Sequence, residues 1–202
     1  MGQRLVVTIK NNGKDLAKIY YHWSAYTVSA LMKARDIVNY ICEEDYKTEK
    51  ELQLRLIRFC EKHGGGIEGG ADSIEWKRIQ EMFPNETFKS EGINRNYGLI
   101  ALSEAGMDDL QGWSEGDLDI ILDEDVILNY VYFGYENIED YKEHASEWDD
   151  DFDNNMKLED VPDIGHDLCE IGFDEIDGVI DELRQVNGFL VRNGDEIFEL
   201  IA

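Results

Sequence analysis

Carboxylates are the only reactive side chains present in quantity here, 45 Asp and Glu against 19 Lys and Arg in 202 residues. The spacing that comes nearest to a ligand set is Asp149, Asp151 and Asp153 at the first, third and fifth positions of a calcium loop, with Asp160 at the twelfth. Asn154 stands where the turn glycine belongs, Lys157 fills the ninth position, the last ligand is Asp rather than a bidentate Glu, and Pro162 interrupts the exit helix. A solvated acidic loop is the better reading, with calcium as the alternative. Carboxylate pairs for acid–base work carry no information where carboxylates are this dense. His63-Gly64-Gly65-Gly66 has the composition of an oxyanion or phosphate loop, but neither a Gly-x-Ser-x-Gly elbow nor a following Gly-Lys-Ser/Thr accompanies it. His22 and Ser24 would point the same way on a strand as base and nucleophile, yet Ser24 is better used as a helix cap. Cys42, Cys60 and Cys169 lack the short spacing of a zinc site, and Cys42 and Cys60 fall on apolar helix faces. The expectation is no catalytic residue, no cofactor and a reducing, cytoplasmic setting.

The placement of the charge says more. Residues 1–100 hold 15 Lys or Arg against 14 Asp or Glu, a net of +1, and residues 101–202 hold 4 against 31, a net of −27. Together these make the −26 of the chain. Such a half repels nucleic-acid phosphate and anionic membranes and attracts basic protein grooves. Carboxylates spaced along a surface can stand in for duplex phosphates. Glu115, Asp117, Asp119, Asp123, Glu124, Asp125, Glu147, Asp149, Asp150, Asp151 and Asp153 are therefore the expected partner-binding residues. Trp113, Tyr130, Tyr132, Tyr135, Tyr141, Trp148 and Phe152 are interleaved with them, either as contact area or as core.

These residues need a scaffold. Leu5, Val7 and Ile9 alternate along a first strand, Asn12-Gly13 is a hairpin turn, and Leu16 to Trp23 returns as a second strand. A helix from Ser24 to about Glu43 and another opened by a Thr48/Glu51 capping box follow. Residues 64–70 read as a flexible connector, and Asp72 and Glu75 as caps of a short third helix. Tyr97 to Leu102, Asp117 to Leu122 and Val126 to Phe133 are strands, with a helix from Ser103 to Leu110 between the first two. The tyrosines around Tyr20–Tyr26 are expected to pack in the core. Residues 137–148 and 173–186 read as helices, 149–155 as a loop, and 188–200 as a last hairpin around Asn193-Gly194. The expected fold is α+β, an antiparallel sheet of about five or more strands with helices packed on one face, plus an acidic C-terminal region. Residues 1–135 form the core domain, and 136–202 an acidic helical region ending in a β-hairpin. No apolar run reaches the ~20 residues of a membrane span, and the N-terminal residues lack a signal-peptide pattern.

Gly2-Gln3-Arg4-Leu5-Val6-Val7, Ile19 to Thr27, Asn94 to Ile100 and Trp113 to Asp117 resemble blocks of small uncharacterised phage and prophage proteins of Gram-positive bacteria. The resemblance spans roughly residues 2–133 and implies no catalytic residues. Phage origin in turn implies a role against host defence, where acidic anti-CRISPR proteins are well represented. The expected function is a stoichiometric inhibitor of a host defence nuclease, a type II CRISPR effector being favoured. It would bind a basic nucleic-acid groove without binding free nucleic acid itself. A small phage enzyme or nucleotide-handling protein using Tyr20–Tyr26 and Gly64–Gly70 is the alternative, and a calcium-responsive adaptor the third.

Overall fold

Asn12 and Gly13 both take positive φ, 50° and 71°, the pair of conformations that closes a two-residue turn matching strand twist. The turn joins β1 (Leu5–Asn11) to β2 (Lys14–Tyr21), with Leu5 opposite Tyr21. The computed structural model in which they lie describes residues 4–25, 27–43, 45–123, 125–132, 168–184, 190–193 and 196–199. Both faces of the hairpin are covered. Leu5, Val7 and Ile9 enter the main core, while Val6 packs on the other face with Tyr20, Ala101 and Leu110.

The main core lies under α1 (Thr27–Cys42), α2 (Glu49–Lys62), α3 (Ile74–Met82) and α5 (Ile176–Arg184). Thr48 caps α2, its Oγ1 accepting from Glu51 N at 3.1 Å, while the Glu51 carboxylate reaches back to Lys47 N at 2.6 Å. The cap of α3 is Ser73, whose Oγ accepts from Trp76 N at 2.9 Å, in place of Asp72. Ser103 caps α4 (Glu104–Gln111), which packs on the opposite face through Leu110 and Met107.

Among the described residues seven strands form one sheet in the order β3-β4-β2-β1-β5-β6-β7. The additional strands are β3 (Gly66–Ile67), β4 (Leu99–Ala101), β5 (Gly116–Leu122), β6 (Val126–Tyr132) and β7 (Leu168–Gly172). The α+β reading holds, with most pairs antiparallel. Two pairs, β1 with β5 and β3 with β4, are parallel. Parallel neighbours need crossovers, and α3 supplies one between β3 and β4. α4 carries the chain from β4, beside β2, to β5, beside β1, and so sits on the second face.

Three details differ from expectation. Residues 64–67 are a turn and a strand instead of a flexible connector: Gly65 N donates to Cys60 O at 2.8 Å and Gly66 N to Gly98 O at 3.0 Å. A Cβ on Gly65 would stand 1.9 Å from Gly98 O, so glycine is required for the backbones to approach. Cys60 is buried but Cys42 is exposed. β7 was not expected; it pairs antiparallel with β6, and Ile176 and Ile180 of α5 join the main core, which draws on both sides of residue 135. β8 (Leu190–Asn193) and β9 (Glu196–Glu199) pair as a separate two-stranded sheet, matching the expected last hairpin. The helix expected at 137–148 and the loop at 149–155 lie outside the described residues. Among the described residues no helix is long and apolar enough to cross a membrane.

Candidate functional site

The alternation along β5 buries Leu118, Ile120 and Leu122 and leaves Asp117 and Asp119 half-buried on the outer face, the face that carries α4. Parallel pairing sets Asp117 beside Val6 and Asp119 beside Thr8. The acidic residues at this seam are held by β1 and α4. Glu115 forms an ion pair with Arg4, accepting from its backbone N and its Nη2, each at 2.9 Å. Asp119 accepts from Lys10 Nζ at 2.6 Å. Asp117 accepts from Gln111 Nε2 at 2.8 and 3.0 Å and from Ser114 Oγ at 2.5 Å, and Gln111 Oε1 in turn accepts from Lys18 Nζ at 2.6 Å. Asp123, at the β5–β6 turn, accepts from Asn12 N at 2.8 Å.

The electrostatic result is uneven. Glu115 and Asp119 are paired with cations, whereas the hydrogen bonds that hold Asp117 and Asp123 come from neutral donors. Glu104, Asp108 and Asp109 on α4 and Asp125 at the turn are exposed. Residues 101–132 contain no Lys or Arg to offset them. A second exposed acidic set, Asp174, Glu175, Asp177, Asp181 and Glu182, lies on the α5 side, where Asp177 pairs with Arg35 at 2.8 Å. Glu124, Glu147, Asp149, Asp150, Asp151, Asp153 and Asp160, and with them the calcium-loop alternative, lie outside the described residues. Among the described residues no group of three His, Cys, Asp or Glu is placed to hold a metal ion.

The tyrosines of β2 divide between the faces. Tyr21 is in the main core; Tyr20 is on the α4 side, its hydroxyl 2.7 Å from His22 Nδ1 in a hydrogen bond. His22 thus pairs with Tyr20, while Ser24 is buried. Burial first, then Arg95 and Arg4, push the His22 pKa down, which leaves a neutral ring able to accept from the hydroxyl. Burial also pushes the Tyr20 hydroxyl up, against the opposing effect of Arg4 and Arg95. Of the aromatics interleaved with the acids, Tyr130 is core, its hydroxyl donating to Ala25 O, and Trp113 is 54% exposed.

Beside Tyr20 opens a cleft of about 140 Å³ lined by Tyr20, Glu68, Arg95, Leu99, Leu110 and Trp113. It brings the Tyr20 region together with the end of the glycine segment at Glu68. Nothing in the spacing of Arg95 ties it to Tyr20, so sequence reasoning misses it. It sits in a 3₁₀ turn (Arg95–Tyr97) whose start is fixed by Asn94 Oδ1 accepting from Asn96 N at 2.9 Å. The Arg95 carbonyl accepts from His22 N at 3.3 Å. Burial first, then Asp109 and Glu75, push the Glu68 carboxyl up.

Compared with protein-family models, curated proteins and solved structures, the chain matches none.

Proposed function

We propose that the chain is a phage-encoded, non-catalytic inhibitor acting in the bacterial cytoplasm. It lays an acidic surface in the basic nucleic-acid groove of a host defence nuclease of the CRISPR type, a type II effector being favoured. The observation that carries this reading is the partition of charge, +1 in residues 1–100 and −27 in 101–202. Asp117 and Asp123, held in place by neutral donors, would bind with little ordering cost. Asp108, Asp109 and Asp125 add exposed carboxylates with no Lys or Arg near them in sequence. A groove lined with Arg and Lys attracts carboxylates for the same electrostatic reason that it attracts phosphates.

The test is a cleavage assay with a purified guide-loaded type II effector, titrated with the protein at low and high salt. Inhibition that saturates near equimolar protein and fades as salt rises supports the proposal, because charge steering is screened beyond ~8–10 Å near physiological ionic strength. Undiminished cleavage at about tenfold excess, or a mobility shift of naked duplex DNA by the protein itself, refutes it.

A further inference from the structure

The cleft beside Tyr20 is built differently from the acidic surface. Leu99 of β4 and Leu110 of α4 give it an apolar floor, and the indole of Trp113 gives it a wall that is half open to solvent. An exposed indole against a concave apolar floor is the arrangement that ligand sites use. Arg95 and Glu68 bring opposite charges to this one cleft. Among the described residues neither side chain makes an ion pair or a hydrogen bond, with the other or with any third residue. Arg95 lines the cleft beside Tyr20, and its backbone carbonyl accepts from His22 N at 3.3 Å. Glu68 lines the same cleft from the turn after β3, half-buried.

Opposite charges that line one partly apolar cleft without pairing are complementary to a ligand that carries both. We propose that this cleft binds a free α-amino acid with an apolar side chain. The carboxylate lies on Arg95, the ammonium on Glu68, and the side chain between Leu99, Leu110 and Trp113. The volume of about 140 Å³ is well under the ~300–1,000 Å³ of drug-sized sites and suits a molecule of this size. Net charge selects against the alternative of a mononucleotide. A zwitterion meets no net repulsion from a chain of charge −26, whereas a phosphate dianion does. Its two charged residues belong to the neutral half, and the site is independent of the inhibitor reading.

The experiment is calorimetric titration of the full chain with leucine, phenylalanine, leucinamide, N-acetylleucine and uridine monophosphate. Leucine or phenylalanine is expected to bind, with leucinamide and N-acetylleucine weaker by about tenfold or more, since each lacks one charge. Arg95→Gln should abolish the preference for leucine over leucinamide, and Glu68→Gln the preference for leucine over N-acetylleucine. A general loss of structure would not sort the two analogues in this way. Arg95 is exposed and Glu68 half-buried, so both variants retain the fold. The proposal is overturned if neither amino acid binds at about 10 mM, a concentration generous for so small a ligand. It is also overturned if both preferences survive in the variants, or if uridine monophosphate binds more tightly than either amino acid.

Discussion

Removing the carboxylate of Glu75 should unfasten the elements that floor the cleft. Glu75 is buried in α3, and its Oε1 accepts from Leu102 N at 2.6 Å and from Ser103 N at 3.0 Å, while Oε2 accepts from the Ser103 hydroxyl. One side chain thus ties α3 to the junction between β4, which carries Leu99, and α4, which carries Leu110. Hydrogen bonds to a charged acceptor contribute ~1.5–3 kcal/mol each, and an orphaned buried N–H costs ~1–3 kcal/mol. Glu75→Ala loses two such bonds to backbone and strands the Leu102 N–H. Because these terms overlap, about 3–5 kcal/mol is expected, close to the upper range for single substitutions. Glu75→Gln keeps one acceptor oxygen and can donate to Ser103 Oγ, so its cost should be about 1 kcal/mol. Urea unfolding followed by circular dichroism gives both values, and thermal melts should fall by ~2–4 °C per kcal/mol at this chain length. A loss below about 1 kcal/mol in Glu75→Ala, or equal losses in the two variants, would show that the clamp is not what joins these elements.

Glu68→Gln should raise stability at neutral pH. The folded-state pKa lies above the ordinary carboxyl value, so in that window the folded protein holds more protons than the unfolded one, and stability falls as pH rises through the shifted value. The advantage of the variant should be present at pH 7 and vanish below the unfolded pKa near 4.3, and a melt showing the same gain at both pH values would contradict this. Gly65→Ala places a Cβ 1.9 Å from Gly98 O and 2.9 Å from Tyr97 O, so β3 must part from β4. A loss of at least about 3 kcal/mol with faster amide exchange at Gly66 and Glu68 is expected, and a wild-type melt would refute it. For inhibition, Asp108→Lys with Asp109→Lys and Asp125→Lys changes the charge by about six units and should raise the half-inhibitory concentration tenfold or more. The opposite reversal in the neutral half, at exposed Lys47, Lys77 and Arg78, should leave it within about twofold, and the reverse ranking would sink the surface assignment.

Much of the local structure is legible residue by residue, because its causes lie within a few positions. Asn12-Gly13 closes the first hairpin, Thr48 and Glu51 open α2, Ser103 opens α4, and the alternation of Leu118, Ile120 and Leu122 marks β5 and its buried face. The alternation of Tyr20 and Tyr21 likewise places them on opposite faces of one strand. Even the charge partition needs no coordinates.

The rest depends on contacts between distant positions. β3 is two residues long, too short to show a period, and exists because Gly98 lies alongside it. The parallel pairing of β1 with β5 spans more than a hundred residues and depends on the path of α4 across the sheet. Glu75 has the type and position of a helix-start acid, but its burial and three donors appear only when Leu102 and Ser103 are brought to it. Sequence supplied Glu115, Asp117, Asp119 and Asp123 as an undivided acidic row. Folding sorted them, since Arg4 and Lys10 on the neighbouring strand neutralise two while Gln111, Ser114 and a backbone N–H merely position the others. Arg95 and Glu68, 27 positions apart by number, share a cleft that Leu99 of β4 and Leu110 of α4 also line, a juxtaposition made by the tertiary fold. Charge and local conformation are properties of the chain itself; which charges are cancelled by a partner, as Arg4 and Lys10 cancel Glu115 and Asp119, is settled by strand order.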